Sequence, residues 1–548
     1  MNDRNARGTA RRRLARTALA AALVAGAGLP AGHAFARSGD DTPTGTAFTL
    51  NATADSAGAR LTGDHQGFSV ESADFAHGYL TEDRMADRLR TLGDDGVLRL
   101  GGYSMDLVWP AFGRWSGSPA PKEAIGGTVD RSDLDALRKL VRASGWKVTL
   151  GVPLKSVVDP AVLKDPAKDP APKVTLDQVV AEVKAAHETL GDDLLAVEVG
   201  NEFDNVTTMT GGDMWETVKR YEAAIHAALP HAGIKVLGPS ANTAATNTRL
   251  DEFASAAAAD TTVKPERILS ELSSHLYPGS HCGTSDMPLP QVLAPQTYTK
   301  TRTKLAGIRE IGARFGDRVP MTLNESNSAS CSGQPGVSNA YVTSLWSLDH
   351  LMQTAQSGVS QVEFHTNTAA VCGDFKPRDS AEYPVSYRYY GAFCAADRAE
   401  LDANGLSATP LYYGLWAFRQ VPQGRFVDLG LADADLGRLR AYGVQGRGGE
   451  LTLVLINVQD PATAGSTSDD VTIGLPSSYG RGRAVTLRTS AADGLASTDA
   501  SAVSLGGRTV SPAGRASGTP RSTPVQVGHR SATVSVAPGT AQLVTLSR

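Results

Sequence analysis

The stretch Ala196-Val-Glu-Val-Gly-Asn-Glu202 is a short apolar segment that ends in polar residues. The same arrangement recurs along the chain, and a stretch with the apolar spacing of a helix usually follows it. Continuous apolar strands that alternate with helices are typical of a parallel sheet covered by helices. Eight strands are predicted in this region: Phe68–Ser72, Val97–Gly102, Lys147–Val152, Ala196–Glu202, Lys235–Pro239, Leu272–Tyr277, Pro320–Glu325 and Gln361–Thr366.

Eight such units fit the α/β fold class, specifically a (β/α)8 TIM barrel with insertions. The stretch Thr409–Gln420 is predicted to be the last barrel helix. After it the pattern changes to short strands separated by Gly, Ser and Pro, which is typical of a β-sandwich. Ala47–Thr53 also has a strand pattern, and we expect it to join the C-terminal sheets. The predicted barrel covers residues 68–422, the sandwich residues 423–548, and the N-terminal strand segment residues 37–67.

Residues 1–36 have the layout of an export signal. Six arginines precede the apolar run Thr17–Leu29, and small residues follow as far as Ala34-Phe35-Ala36. The run is shorter than the roughly 20 residues that a membrane helix needs, although a membrane anchor remains the alternative. We therefore expect cleavage after Ala36, a secreted or extracytoplasmic protein, and no membrane contact once the signal is removed.

The overall charge argues against nucleic acid as a partner. The 548 residues include 53 Lys and Arg and 57 Asp and Glu, which gives a formal charge of −4. Removal of residues 1–36 takes away six arginines and one aspartate, so the exported chain is more acidic. A nucleic-acid-binding protein normally carries a clustered basic excess. An acidic chain also offers no general attraction for heparin-like polyanions.

The four cysteines fit two disulfides in an exported chain. Four cysteines allow three pairings. Cys282 follows the sixth predicted strand and Cys331 the seventh, so their loops are neighbours. Cys372 and Cys394 both follow the eighth strand. The strand order thus favours the pairs Cys282–Cys331 and Cys372–Cys394, and because no CxxC spacing occurs, a zinc site is not expected.

Two glutamates lie where a TIM barrel carries its reactive groups, at the C-terminal ends of strands. Glu202 closes the fourth predicted strand and Glu325 the seventh, and each follows an asparagine. Glycoside hydrolysis needs two facing carboxyl groups, and a separation of about 5 Å gives retention through a covalent intermediate. The Asn201 amide could then bind a sugar 2-hydroxyl. The alternative is that each glutamate is a solvent-facing strand end.

Six segments carry a common pattern: Gly67-Phe-Ser-Val-Glu71, Leu98-Arg-Leu-Gly-Gly-Tyr-Ser-Met-Asp106, Glu198-Val-Gly-Asn-Glu-Phe-Asp204, Ser274-His-Leu-Tyr-Pro278, Asn324-Glu-Ser-Asn-Ser328 and Pro410-Leu-Tyr-Tyr-Gly414. Together they resemble glycoside hydrolase family 79, the heparanase and β-glucuronidase family of retaining TIM-barrel glycosidases. The resemblance implies that Glu202 is the acid/base and Glu325 the nucleophile. It also implies a carbohydrate or glycoside substrate. No metal or organic cofactor is expected, since two carboxyl groups suffice for this chemistry.

Five further residues are candidates for substrate binding or for holding the nucleophile. Asp106 matches a family aspartate that contacts the sugar, or is a turn residue. Arg99 could orient Glu325, or form a structural ion pair. His275 and Tyr277 end the sixth strand beside the seventh, where the tyrosine hydroxyl could reach the nucleophile; the alternative is packing alone. Glu71 could bind sugar hydroxyls, or be a paired structural acid.

The sequence departs from the family pattern after Glu325. Glucuronide-selective members typically place a tyrosine shortly after the nucleophile to bind the sugar carboxylate, whereas Ser326-Asn-Ser-Ala-Ser-Cys331 contains no aromatic residue. The groups that could replace this tyrosine are Ser330, the backbone amides around Gly333, Lys376 and Arg378. The alternative for Lys376 and Arg378 is that they are ordinary solvated charges of a loop. The leading hypothesis is an exo-acting β-glucuronidase for small or plant-derived glucuronides. The alternatives are a neutral-sugar β-glycosidase and a non-catalytic secreted sugar-binding protein.

Overall fold

The computed structural model describes residues 45–53, 58–165, 171–242, 246–283, 286–366, 368–369, 371–372 and 389–548. Residues 45–548 belong to one unit. The predicted export signal, Lys376 and Arg378 lie outside the described residues. In the described part, no helix combines the length and the apolar character that crossing a bilayer requires.

Eight parallel strands close into a barrel, as the sequence predicts. They are β1 (Gln66–Glu71), β2 (Val97–Gly101), β3 (Lys147–Val152), β4 (Leu194–Val199), β5 (Val236–Asn242), β6 (Leu269–Leu276), β7 (Met321–Ser326) and β8 (Gln361–Thr366). Each strand pairs with its neighbour in chain order, and β8 pairs with β1 to close the ring. The carboxyl ends of all eight strands therefore meet at one mouth.

Eight longer helices pack around the barrel. They are α1 (Glu82–Thr91), α2 (Arg131–Ser144), α3 (Leu176–Leu190), α4 (Gly211–Ala228), α5 (Thr248–Ala259), α6 (Pro295–Gly312), α7 (Val342–Gln356) and α8 (Pro410–Phe418). Helix α2 shows how the sequence sets such an element. The Asp130 side chain accepts a hydrogen bond from the Ser132 amide, Asp133 completes a capping box, and Gly145 ends the helix at a φ of 79°. These are standard signals for helix ends.

The end of β4 differs from the prediction. The strand stops at Val199 rather than at Glu202, because Gly200 and Glu202 take left-handed φ angles of 73° and 47°. A Cβ atom on Gly200 would lie 2.5 Å from the Leu154 side chain, so glycine is required at this turn. Glu202 consequently heads the short helix Phe203–Val206.

Two further sheets form the predicted β-sandwich, and the N-terminal strand joins it. The larger sheet contains Arg60–Leu61, Gly424–Val427, Leu439–Gly446, Leu451–Asn457, Thr540–Ser547, Arg481–Thr489, Val503–Leu505 and Thr523–Pro524; the smaller contains Ala47–Asn51, Asp469–Gly474, Ser531–Val536 and Gln526–Val527. Phe48, Val471, Leu453 and Val544 belong to one buried cluster between the two sheets. We propose the division from the barrel at residues 422 and 423, just before Gly424–Val427.

Both predicted disulfides are confirmed. Cys282 is bonded to Cys331, and Cys372 is bonded to Cys394. The first bond joins the loops that follow β6 and β7, which also pair through the short strands Gly279–Ser280 and Ala329–Ser330. These two loops are thus tied together beside the mouth of the barrel.

Candidate active site

A cavity of about 1080 Å³ opens at the C-terminal mouth of the barrel, and both predicted catalytic glutamates line it. Glu325 is the fifth residue of β7, and Glu202 follows β4. One side-chain oxygen of each glutamate and a ring nitrogen of His275 all lie within 4.8 Å of one another. The spacing is close to the roughly 5 Å found between the carboxyl groups of retaining glycosidases and shorter than the 6.5–9.5 Å of inverting ones.

Two donors hold Glu325, one on β2 and one that directly follows β6. Its Oε2 accepts a 2.7 Å hydrogen bond from Arg99 Nη1, and its Oε1 accepts a 2.8 Å bond from the Tyr277 hydroxyl. Burial would raise the pKa of this carboxyl, but the charges of His365, His275 and Arg99 and the bond from Tyr277 outweigh it. The pKa of Glu325 is therefore held well below its usual range, and the side chain is an oriented carboxylate anion.

Glu202 has a different environment. Its Oε1 lies 2.9 Å from His275 Nδ1, and its Oε2 accepts a 3.1 Å hydrogen bond from Asn205 Nδ2. No arginine or lysine forms an ion pair with it among the described residues. The side chain is 16 % exposed, compared with 10 % for Glu325. The two carboxyl groups are thus unlike: one is bound by a guanidinium, and the other faces the cavity beside an imidazole.

Arg99 connects four barrel strands. It is fully buried and donates a pair of hydrogen bonds to Glu198, at 2.7 and 2.5 Å. It also donates to Asn201 Oδ1 at 2.7 Å and to Ser69 Oγ at 2.8 Å, in addition to Glu325. A planar guanidinium fixes several acceptors in one geometry. Glu198 is not among the predicted site residues. A charged residue inside an apolar strand is nevertheless a sequence signal for a buried ion pair.

Glu71 closes another side of the cavity. Its carboxylate accepts hydrogen bonds from the Ser104 amide at 2.7 Å and from the Ser104 hydroxyl. Gly102 makes this approach possible, because it has a φ of 70° and a Cβ atom there would lie 2.2 Å from Glu71 Oε1. His365 Nε2 lies 3.4 Å from the same oxygen. Glu71 is therefore both hydrogen-bonded to buried groups and part of the cavity wall.

His365, which the sequence analysis missed, lies between two carboxylates. Its Nδ1 is 3.7 Å from Glu325 Oε2, and its Nε2 faces Glu71. Burial lowers the pKa of the imidazole, but the charges of Glu325 and Glu71 and the hydrogen bond to Glu71 more than compensate, so the pKa is raised. Glu363, a buried acid two residues earlier on β8, shares a strand face with His365, so strand periodicity carries a signal for this position.

The raised pKa of His365 predicts a pH-dependent stability. A group whose pKa is higher in the folded chain stabilises fully below its unfolded pKa, and the contribution is lost as pH rises through the folded value. The free energy of unfolding is expected to fall above the ordinary histidine value of 6.5, and less steeply in His365→Gln. Denaturant unfolding over a pH series measures this. His350→Gln is the control, because burial lowers the pKa of His350 to about 3 and it stays neutral in this range. Equal slopes for the wild type and His365→Gln would contradict the prediction.

Of the remaining predicted binding residues, only some line the cavity. Asn201 and Ser330 line the cavity. Asp106 is buried, and its carboxylate accepts hydrogen bonds from the backbone amides of Leu154 and Ser156 at 2.8 and 3.1 Å. It is not part of the described cavity wall, so its observed contacts are those of a turn-stabilising residue. Lys376 lies outside the described residues.

Tyr390 is a further cavity residue that the sequence analysis missed. It is buried, and its ring centroid lies 6.3 Å from that of Tyr277 and 5.8 Å from that of His365. The side-chain amide of Asn327 donates a 2.8 Å hydrogen bond to the backbone carbonyl of Tyr390. An aromatic side chain from the segment after β8 thus lines the same cavity as Glu325, whereas the sequence directly after Glu325 has none.

Loss of the Cys282–Cys331 disulfide is expected to affect substrate binding, because both cysteines line the cavity. Replacing both by serine should lower the free energy of unfolding by about 2–4 kcal/mol. It should also raise KM more than it lowers kcat, because the loops after β6 and β7 can change position while the barrel strands that carry the two glutamates stay in place. Urea unfolding and steady-state kinetics measure the two effects. The control is the variant with serine at both Cys372 and Cys394, which are not part of the described cavity wall. An equal rise in KM in this control would contradict a specific role of the Cys282–Cys331 disulfide in substrate binding.

No family model matches the chain, and no curated protein sequence matches it significantly. Solved structures do match. A 4-O-α-L-rhamnosyl-β-D-glucuronidase from Fusarium oxysporum 12S has 18 % identity and a TM-score of 0.65, and the match covers 91 % of this chain and 100 % of that one. A family 51 arabinofuranosidase from Xanthomonas axonopodis pv. citri has 12 % identity and a TM-score of 0.61, and the match covers 91 % of this chain and 99 % of that one. A family 39 enzyme from the same organism has 15 % identity and a TM-score of 0.56, and the match covers 92 % of this chain and 98 % of that one. The structural neighbours are therefore glycoside hydrolases, and the likeness confirms the predicted fold class.

Proposed function

We propose that the chain is an exported retaining β-glycosidase of the family 79 type, most specifically an exo-acting β-glucuronidase. The observation that carries the proposal is the placement of Glu202 and Glu325 in one cavity, with an oxygen of each within 4.8 Å of the other. At such a distance one group can attack the anomeric carbon as a carboxylate while the other, as a carboxylic acid, protonates the departing oxygen. The TIM barrel and its structural neighbours agree with this chemistry.

In the proposed mechanism, Glu325 attacks the anomeric carbon as the aglycone leaves. Glu202 gives its proton to the glycosidic oxygen, so that the aglycone departs as a neutral alcohol and a glycosyl ester forms on Glu325. Glu202 then removes a proton from water, which attacks the same carbon and releases the sugar with its configuration retained. Arg99 and Tyr277 hold Glu325 ionised and aimed before the substrate arrives, which is preorganisation of the kind that lowers barriers.

Selectivity for a glucuronide requires hydrogen-bond donors for the sugar carboxylate. One structural neighbour is named as acting on a rhamnosyl-glucuronide. Backbone amides are one source of donors for a sugar carboxylate: Cys331, Ser332 and Gly333 have consecutive left-handed φ angles of 57°, 72° and 72°, and the first two line the cavity. Successive residues in such conformations can turn their N–H groups toward one point. Ser330 adds a hydroxyl.

A neutral-sugar β-glycosidase is the second candidate, and the charge of the cavity wall favours it. Glu71 and Asp286 add two carboxyl groups to the catalytic pair, whereas Lys300 is the sole lysine or arginine in the described part of the wall. Carboxylates repel a uronate and suit sugar hydroxyls. Release of nitrophenol from the aryl β-glucuronide but not from the aryl β-glucoside would support the first candidate, and the reverse the second. Sugar binding without turnover of either would favour a non-catalytic binding protein.

Chelation is expected to leave the activity unchanged. Glu202, His275 and Glu325 are close enough to ligate a cation, but Arg99 and Tyr277 already occupy both oxygens of Glu325. A cation there would also lie beside a guanidinium charge. Rates of aryl glycoside hydrolysis before and after dialysis against EDTA measure this. Activity that disappears on dialysis and returns with one divalent metal would replace the two-carboxylate mechanism by a metal-assisted one.

A further inference from the structure

We propose that a cleft on the β-sandwich, lined by four arginines, binds carboxylate-bearing polysaccharide chains. The cleft has a volume of about 610 Å³, which is within the range of roughly 300–1,000 Å³ typical of ligand sites. Its arginines are Arg60, Arg425, Arg447 and Arg548. The residues that line it share no member with the catalytic cavity, so the proposed site is additional to the one already described.

Three neighbouring strands place the cleft side chains in a row. Arg60 and Arg425 are directly opposite each other in an antiparallel pair, and Gln445 is opposite Arg425 on the next strand. Side chains at directly opposite positions lie on the same face of a sheet, about 5 Å apart at Cβ. All three line the cleft, and both arginines are exposed.

The two opposed arginines form no ion pair with an Asp or Glu side chain in the described part of the chain. Like charges directly opposite in a sheet are destabilising. Among the described residues, no carboxylate of an Asp or Glu side chain forms an ion pair with Arg60, Arg425 or Arg447, and the one hydrogen bond of the Arg425 guanidinium goes to the Gly58 carbonyl, at 3.3 Å. Glu450 lies in the same turn as Arg447 but is not part of the cleft wall. Repulsion at this row is removed when an anion lies between the guanidinium groups.

The polar groups of the cleft indicate the class of ligand. Besides the arginines, Thr53, Gln445 and Ser477 line the cleft, so it contains hydroxyl and amide groups as well as guanidinium groups. A guanidinium binds a carboxylate through two parallel hydrogen bonds, and hydroxyl and amide groups bind sugar hydroxyls. The overall acidity of the chain argues against general attraction for polyanions, so this local basic row is an exception to the chain's charge.

The test compares binding of polygalacturonate to the full-length wild type and to Arg60→Gln/Arg425→Gln, by isothermal titration at about 0.15 M salt. We expect the apparent Kd to rise about tenfold or more in the double variant, because two charge-assisted contacts are lost. Hydrolysis of an aryl glycoside should not change, since neither residue lines the catalytic cavity. The thermal midpoint of the variant should equal or exceed that of the wild type, which shows that it folds.

Arg521→Gln is the matched control, since Arg521 is an exposed arginine of the same sandwich that does not line the cleft. It should bind polygalacturonate like the wild type. Unchanged binding in the double variant would overturn the proposal, and so would equal losses in the control. Tighter binding of heparin or duplex DNA than of polygalacturonate by the wild type would overturn the carboxylate assignment. These readouts do not depend on turnover, so they remain informative if the proposed glycosidase activity is not found.

Discussion

Replacement of Glu325 by alanine is expected to reduce the hydrolysis of an activated aryl β-glycoside by about 10³-fold or more. The variant keeps Glu202, the cavity and the barrel, but nothing remains to attack the anomeric carbon. The fold should survive, because the lost side chain lies at the cavity rather than in the apolar core. Steady-state kinetics and a far-ultraviolet circular dichroism spectrum measure the two expectations.

Azide distinguishes the roles of the two glutamates. In Glu325→Ala, azide can enter the vacated space and attack directly, and a single displacement gives the α-glycosyl azide. In Glu202→Ala, azide attacks the ester formed on Glu325, and two displacements give the β-glycosyl azide. Glu188→Ala, a substitution of an exposed glutamate on α3, is the control and should retain full activity. The opposite pair of azide products would exchange the roles of Glu202 and Glu325, and near-normal activity in Glu325→Ala would exclude the mechanism.

Replacement of Arg99 by methionine is expected to lower the free energy of unfolding by about 3–5 kcal/mol, because it leaves buried carboxylates without their counter-charge. Arg99 and Glu198 are both fully buried and share two hydrogen bonds. Glu325 loses its guanidinium partner in the same change. Activity should fall as well, since one of the two donors that orient Glu325, the proposed nucleophile, is gone. Urea unfolding at neutral pH and steady-state kinetics measure these losses.

Two further variants test whether the stability loss comes from unpaired charge. Arg99→Met combined with Glu198→Gln should recover part of the lost stability, because one uncompensated buried carboxylate is removed. Arg302→Met breaks the exposed pair with Asp433 and should leave the free energy of unfolding nearly unchanged. If Arg99→Met were as mild as Arg302→Met, the buried network would not be the source of stability that we describe.

The barrel is predictable from sequence because its strands are contiguous apolar runs. All eight were located, and their ends differ from the observed ones by a few residues. Helix α5 has a weak sequence signal, because its buried face contains small residues, Ala254 and Ala257, beside Leu250 and Phe253, so the apolar periodicity is weak. The strand Gly424–Val427 has a weak signal for another reason: it has four residues, and its pairing with Leu439–Gly446 and Arg60–Leu61 is a tertiary effect.

The site is less predictable than the fold because its contacts join distant parts of the chain. The sequence places Arg99 and Glu325 in the same barrel, but only folding shows that they share a hydrogen bond across 226 positions. Asp106 has the residue type of a sugar ligand, yet backbone amides use its carboxylate. Tyr390 follows a long segment after β8 and has no motif, so only three-dimensional structure brings it to the cavity.

The pairing of Ala47–Asn51 with Asp469–Gly474 has a consequence for the order of assembly. An early segment of the polypeptide can find its sheet neighbour only after more than 400 further residues have been synthesised. Contacts of such long range slow folding, because loop closure is unfavourable until they form. We therefore expect the sandwich to be completed last, and nascent chains to require protection of this segment while they wait.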